Sequence, residues 1–177
     1  MNIHLILSGN ELLNGVQLDT NLRFIGGELA AAGIPVRQAV TIGDSRPAMI
    51  DALAALSADA DALIVTGGLG STDDDITRQV AAEFFGMPLH RNDDLARYVA
   101  YCYRTHHPDG PIPKAIFRQA EVPEGARILP NRNGSAAGLC LDAAIGDRHF
   151  PVFLLPGPPR EFEPMVKDFL VPKEHFL

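Results

Sequence analysis

The first half of the chain alternates short apolar runs with segments whose apolar residues recur every three or four positions. The runs at 3–7, 36–42 and 62–66 predict β-strands, and the third is nearly all apolar, as in a strand buried on both faces. Helical spacing follows each run, and Ser45 is the predicted N-cap of the second helix. This alternation favours a mostly parallel sheet covered by helices on both faces, an open α/β sandwich.

The second half is less regular but contains further elements. Apolar spacing predicts helices over 95–102, 114–120 and 162–169, and strands near 127–129, 139–141 and 152–155. No repeat or linker-like composition divides the chain, so we expect a single domain over residues 1–177.

Composition narrows the function classes. Hydrophobic residues make up 46% of the chain, and 22 acidic against 15 basic residues give a formal net charge of −7. The acidic balance argues against nucleic-acid and anionic-membrane partners. No apolar run approaches the length of a membrane span, no signal peptide is visible, and Cys102 and Cys140 cannot build a disulfide framework. A cytoplasmic protein with reduced thiols is therefore expected.

Several catalytic signatures are absent from the sequence. It contains no G-x-x-x-x-G-K-[ST], no G-x-G-x-x-G after a predicted strand, no G-x-S-x-G and no H-E-x-x-H. The sequence therefore gives no support to a P-loop site, a Ser-His-Asp triad or a zinc protease.

Four segments rich in Gly, Pro and small polar residues each follow a predicted strand directly. They are residues 8–11, 43–45, 66–75 and 156–161. The carboxyl ends of parallel strands share one edge of an open α/β sheet, and ligands bind there. We expect these four loops to form one binding site.

The loop at residues 66–75 carries the strongest local signal. Gly67, Gly68 and Gly70 allow positive φ angles and a close backbone approach to a ligand, and backbone N–H groups beside a helix N-terminus bind anions. The alternative is a strand-to-helix turn capped by an aspartate. Three consecutive aspartates, at 73–75, are more than a cap requires, which favours a functional loop.

Carboxylates crowd the same predicted edge, at Glu11, Asp19, Asp44 and residues 73–75. Acids beside a phosphate-binding loop repel an anionic ligand unless a cation lies between them. Mg²⁺ fits, because it takes one or two carboxylates and completes its coordination with water and phosphate oxygens. Glu11 is the candidate general base, since it closely follows the first strand; alternatively, Glu11 and Asp19 only stabilise helix starts.

Four motifs resemble the CinA family over nearly the whole chain. They are residues 9–15 followed by 19–21, residues 66–77, residues 131–138, and residues 155–161 with 164–165. More broadly, the chain resembles the molybdopterin-binding domain of the MogA, MoaB and MoeA proteins. The resemblance implies a three-layer α/β/α sandwich with a mostly parallel sheet, and a dimer or trimer, since relatives of this fold are usually homo-oligomers.

The resemblance also implies chemistry. CinA-like domains are associated with metal-dependent hydrolysis of ADP-ribose to AMP and ribose 5-phosphate, and MogA relatives adenylate molybdopterin with two aspartates that match Asp44 and Asp75. The expected catalytic residues are Glu11, Asp44 and Asp75, and a divalent metal ion is expected on Asp44, Asp74 and Asp75. The expected ligand- and phosphate-binding residues are Gly67, Gly68, Gly70, Ser71, Thr72, Asn131, Gly134, Ser135, Pro156, Gly157 and Pro158.

Three functions stay open at this point. The leading hypothesis is a metal-dependent hydrolase of a nucleotide diphosphate sugar such as ADP-ribose, because residues 11–13 and 73–74 match CinA-like chains best. The alternatives are a molybdopterin-binding protein or adenylyltransferase, and a non-catalytic nucleotide- or pterin-binding module. The sequence departs from the family at Asn10, Ser71, Ala137 and Ile116. No C-terminal deamidase domain is expected in this chain.

Overall fold

The computed structural model describes residues 1–170. Its strands are β1 (Ile3–Ser8), β2 (Val36–Ile42), β3 (Ala62–Thr66), β4 (Leu89–Arg91), β5 (Glu121–Pro123), β6 (Arg127–Leu129), β7 (Gly138–Ile145) and β8 (Arg148–Leu155). Its helices are α1 (Asn10–Leu13), α2 (Asn21–Ala31), α3 (Arg46–Ser57), α4 (Thr77–Phe84), α5 (Asp93–His106) and α6 (Pro159–Phe169), with a 3₁₀ helix at Lys114–Ala120.

Six strands form one mixed sheet in the order β2-β1-β3-β8-β7-β6. The first four are parallel to one another, and β7 runs antiparallel to both β8 and β6. Strands β4 and β5 form a separate antiparallel pair. The mostly parallel sheet confirms the predicted fold class.

Helices cover both faces of the sheet, because the central strands are apolar on both sides. In β1, Ile6 faces a core that includes residues of α3 and α4, whereas Leu5 and Leu7 face a core that includes residues of α2 and α6. The same alternation holds in β3, where Leu63 and Ile64 belong to opposite cores. Each core lies between the sheet and the helices that cover one of its faces, which gives the molecule three layers.

The register of the parallel strands brings their carboxyl ends to one level. Leu7 of β1 pairs with Thr41 of β2 and with Thr66 of β3, and Thr66 pairs with Leu155 of β8. The segments that follow these four strands therefore begin side by side.

Some elements differ from the sequence-based expectation. Strands β7 and β8 are each eight residues long and form a hairpin, whereas the pattern predicted only the segments farthest from the turn, near 139–141 and 152–155. The ends next to the turn are mostly exposed and mix polar with apolar residues, so no long apolar run marks them. Strands β4 and β5 and helix α1 have only three or four residues, which is too short for a period to show.

Other expectations from the sequence can be compared directly. Ser45 is the N-cap of α3 and accepts a hydrogen bond from the N–H of Ala48 at 3.3 Å. Cys102 and Cys140 are free and partly buried, and burial raises the pKa of the Cys140 thiol. Within residues 1–170, no helix combines the length and the apolar character needed to cross a bilayer.

Helix α6 packs on the sheet through a buried face that includes Phe162, so shortening the Phe162 side chain should destabilise the fold. Phe162 is fully buried, and its ring packs edge-on against Phe24 of α2 at 6.5 Å between centroids. We expect Phe162→Ala to lower the free energy of unfolding by about 3–5 kcal/mol, measured by urea denaturation, and Phe162→Leu to lower it by about half as much. A loss below about 1 kcal/mol for Phe162→Ala would contradict this packing.

Candidate ligand-binding site

A cavity of about 580 Å³ opens at the carboxyl edge of the parallel strands. Most of its wall comes from the segments that follow β1, β2, β3 and β8 and from the start of α2; Gln119 of the 3₁₀ helix and residues 135–136 complete it. The structure thus brings together all four loops singled out in the sequence. The expected site residues on its wall are Glu11, Asp44, Gly67, Gly68, Gly70, Thr72, Asp74, Asp75, Ser135, Pro156, Gly157 and Pro158.

Two glycines give the loop after β3 its shape. Gly67 and Gly68 have φ angles of +99° and +65°. A Cβ on Gly67 would collide with the carbonyl oxygen of Ser8, and one on Gly68 would collide with Oγ1 of Thr77. The loop therefore packs directly against the end of β1 and the start of α4, which only glycine permits.

A buried network ties this loop to the loop after β8. The Asn21 side chain donates from Nδ2 to Oγ1 of Thr66 at 3.1 Å and to the carbonyl oxygen of Gly157 at 2.8 Å. Thr66 in turn donates from Oγ1 to the carbonyl oxygen of Pro156 at 3.1 Å. The Asn21 Oδ1 atom is buried and has no partner among the described residues. Asn21 was not among the expected site residues, although it belongs to a motif that supports the resemblance.

Asp44 is fixed by the neighbouring strand end. Its carboxylate accepts hydrogen bonds from Oγ of Ser8 and from the N–H of Asn10, each at 3.0 Å. The Asn10 side chain accepts one in return from the N–H of Asp44 at 3.2 Å. Asn10, one of the departures from the family pattern, thus joins the loops after β1 and β2. Glu11 lies beside them on the exposed helix α1.

The three consecutive aspartates point in different directions. Asp75 accepts hydrogen bonds at Oδ2 from the N–H and the Oγ1 of Thr72, at 2.8 and 2.6 Å. Asp74 is exposed on the cavity wall. Asp73 is not on the wall and pairs with Arg118 at 3.0 Å. Only two of the three carboxylates therefore face the site.

A buried arginine is hydrogen-bonded to the loop after β3. Arg78 is 1% exposed and donates from Nη1 to the carbonyl oxygen of Arg118 at 2.9 Å and from Nη2 to that of Leu69 at 3.2 Å. Burial lowers the pKa of the Arg78 guanidinium to about 10, and the charges of Glu121 and Asp75 oppose that decrease. The side chain stays protonated at neutral pH. No periodicity in the sequence distinguishes it from a surface arginine.

Three expected ligand residues are not on this cavity wall. Asn131 is buried and donates from Nδ2 to the carbonyl oxygen of Ala136 at 2.9 Å and to Oε2 of Glu161 at 2.8 Å. Ser71 and Gly134 line a second cavity of about 570 Å³. The hydroxyl of Tyr98 contacts the loop between β6 and β7, where it is shared between the carbonyl oxygens of Asn131 and Gly134 at 3.0 and 3.2 Å. Asn131 therefore shapes the loop rather than the wall.

Sequence reasoning also missed several residues of the cavity wall. Outside the expected set, its polar residues are Ser8, Gln17, Thr20, Asn21, Thr66, Gln119 and Glu161, and Asp19 was weighed only as an edge carboxylate. Most of them belong to the four loops or their flanks, so a wider window around each strand end would have found them. Gln119 comes from the 3₁₀ helix, which no strand-end rule indicates.

The cavity is strongly acidic. Of the residues that the structure describes, six carboxylates line it and no Lys, Arg or His does; the six are Glu11, Asp19, Asp44, Asp74, Asp75 and Glu161. Among residues 1–170, no three or more His, Cys, Asp or Glu side chains come together in a group that could hold a metal ion. A cation here would need water or ligand oxygens to complete its coordination.

A family model described as "Probable molybdopterin binding domain" matches residues 4–174 of the chain. A "Putative competence-damage inducible protein" of Moorella thermoacetica is 39% identical over 98% of this chain and 40% of that protein. A "CinA-like protein" of Akkermansia muciniphila is 37% identical over 96% and 40%. The chain thus spans about two fifths of the length of these relatives.

Solved structures share the fold. The protein CinA of Thermoplasma acidophilum, a protein of unknown function, superposes with a TM-score of 0.81 at 29% identity and 94% coverage of both chains. The tungsten cofactor synthesizing protein MoaB of Pyrococcus furiosus superposes with a TM-score of 0.60 at 17% identity, over 99% of this chain and 97% of that one. The second likeness concerns the fold alone.

The close packing of the glycine loop can be measured against a matched glycine. Gly68 and Gly86 have φ angles of +65° and +67°, but an added Cβ meets Thr77 at Gly68 and nothing within 4 Å at Gly86. We expect Gly86→Ala to cost about 1 kcal/mol and Gly68→Ala about 2–4 kcal/mol in the free energy of unfolding. Urea denaturation measures both. Equal losses would show that the loop can move away from Thr77.

Proposed function

Because the chain belongs to the molybdopterin-binding domain family, we propose that it binds a phosphate-bearing pterin or nucleotide at the cavity beside the glycine loop. The observation that carries this proposal is a set of unused donors. In the described chain, the N–H groups of Gly68, Leu69 and Gly70 make no hydrogen bond, and all three residues line the cavity. Consecutive backbone N–H groups of this kind are suited to phosphate oxygens.

Neighbouring contacts keep these donors available. The N–H of Gly67 donates to the carbonyl oxygen of Leu155 at 3.0 Å. The carbonyl oxygen of Gly68 accepts a hydrogen bond from the N–H of Thr77 at 3.2 Å. Arg78 donates from Nη2 to the carbonyl oxygen of Leu69. The carbonyl groups of Gly68 and Leu69 are thus occupied within the protein, while their N–H groups are free for an anion.

The acidic wall favours a divalent cation as the partner of such a phosphate. Six carboxylates, with no basic side chain beside them on the described part of the wall, would repel a diphosphate. Asp44 and Asp75 are the residues we assign to Mg²⁺ or a similar ion, with Asp74 beside them. Each offers oxygen donors, and Asp75 keeps its Oδ1 free of hydrogen bonds in the described chain. When bound, the ion would neutralise phosphate charge and lower the pKa of a coordinated water.

The same wall supports a second candidate function, the hydrolysis of a nucleotide diphosphate sugar such as ADP-ribose. Glu11 would accept a proton from the attacking water, since its exposed helix α1 places it at the cavity wall. Ser8 and Asn10 would keep the Asp44 carboxylate oriented, and Thr72 would do the same for Asp75. Adenylyl transfer to a pterin would use the same phosphate and metal positions.

Ligand binding should depend on a divalent ion. We expect ADP-ribose or a pterin phosphate to bind at least about tenfold more tightly with Mg²⁺ than with EDTA, because the ion offsets the repulsion by the acidic wall. Titration calorimetry measures both affinities. Adenosine, which carries no phosphate, serves as the control and should show no such dependence. Equally tight ADP-ribose binding in EDTA would remove the cation from the proposal.

The rate of hydrolysis should depend on Asp75 but not on Asp73, although both belong to the same run of three aspartates. We expect Asp75→Asn, and equally Asp44→Asn, to lower the rate of Mg²⁺-dependent ADP-ribose hydrolysis about a thousandfold, because the cation stabilises charge that develops in the transition state. Asp73→Asn is the matched control and should stay near the wild-type rate, since Asp73 is off the wall.

Two outcomes would change the assignment. Near-normal hydrolysis by Asp44→Asn and Asp75→Asn would place the chemistry elsewhere. Binding of ADP-ribose or pterin phosphate by the wild type, without hydrolysis in any divalent metal, would leave the binding proposal standing and reject the hydrolase.

A further inference from the structure

The two cavities meet at three shared side chains, Gln119, Ser135 and Glu161. The two cavities have opposite electrostatic character. Counting the described residues, the first has six carboxylates and no basic side chain, whereas the second has one acid, Glu161. The basic residues of the second are Arg132, Arg160, His106 and His107. A ligand that crosses the junction therefore passes from an acidic to a basic environment.

Glu161 lies at this junction in the first turn of α6 and is 8% exposed. Its Oε2 accepts a hydrogen bond from Nδ2 of Asn131 at 2.8 Å. Its Oε1 makes no hydrogen bond in the described chain; the guanidinium Nε of Arg160 lies 3.7 Å away on a side chain that is 80% exposed. One oxygen of a largely buried carboxylate is thus left for whatever occupies the cavities.

A purely structural role would not require this second oxygen. Holding Asn131 takes one acceptor, which the amide of a glutamine also supplies. Burying a charged carboxylate is costly unless hydrogen-bond donors surround it. Because a carboxylate repels phosphate, the matching groups on a ligand are neutral donors located between its anionic parts.

We propose that Glu161 is a ligand-binding residue whose Oε1 accepts hydrogen bonds from a pair of adjacent donors on a ligand that spans both cavities. The pair would be the vicinal hydroxyls of a ribose or the amino and ring N–H edge of a pterin. This inference rests on the proposed function, in which the glycine loop holds a phosphate of the same ligand. An anionic far end of the ligand would lie among Arg132 and Arg160.

The test compares probes that differ by one donor. Ribose 5-phosphate is compared with 2-deoxyribose 5-phosphate, and a pterin phosphate with the corresponding lumazine phosphate, in which an oxygen replaces the amino group. Calorimetry with Mg²⁺ measures each affinity. We expect the wild type to prefer the donor-bearing member of one pair by about 10- to 100-fold, as for hydrogen bonds to a charged group. The pair that shows the preference identifies the source of the donors.

Glu161→Gln should abolish that preference while retaining the bond to Asn131, and thermal melting checks that the variant is folded. Glu163→Gln, two residues further along α6 and on neither cavity wall, is the matched control and should keep the preference. Should Glu161→Gln fail to fold, the absence of a preference in the wild type would still overturn the proposal.

The outcomes separate the two proposals. Binding without a preference in the wild type, or a preference that survives in folded Glu161→Gln, overturns the role of Glu161 and leaves phosphate binding intact. Absence of binding by the wild type, for all four probes and for ADP-ribose, overturns the proposed function and this inference together.

Discussion

The site depends on the direct packing of backbone against backbone at the ends of three strands. Gly67 follows β3, donates its N–H to Leu155 of β8 and lies against the carbonyl of Ser8 in β1. Gly157 in turn packs on Gly67, so that a Cβ there would lie 3.3 Å from the Cα of Gly67. A side chain at Gly67 would push the loops apart, and with them the walls of the cavity. The glycine is therefore required by packing before any ligand is considered.

Much of the fold follows from hydrophobic spacing, because its main elements are long enough to show a period. Strands β1 and β3 are continuous apolar runs buried on both faces, and α2, α3 and α6 place apolar residues on one side. Elements of three or four residues, such as β4 and α1, have no period and exist because the surrounding structure positions them. The sequence pattern also did not predict the part of the β7–β8 hairpin next to its turn, since strand pairing rather than burial stabilises that exposed part.

The location of the site could be predicted from the sequence, but the direction of each side chain could not. Strand order and the rule for parallel sheets bring the four loops together. Side chains within a loop are oriented by tertiary contacts, which no spacing encodes. Asp73 turns to Arg118, and Asn131 turns inward to the carbonyl of Ala136. Glu161 reaches the cavity because Gly134 leaves room for its carboxylate.

The division of tasks between backbone and side chains limits what can determine ligand choice. In the proposed function, the N–H groups of Gly68, Leu69 and Gly70 would bind any phosphate, and the carboxylates of Asp44 and Asp75 would hold a cation against any of them. Neither contact distinguishes a pterin from a nucleotide. Discrimination must therefore come from groups outside the loop that meet the neutral part of the ligand. Of the three described residues that line both cavities, Glu161 alone is charged. It is therefore the residue we propose to contact the neutral part of the ligand.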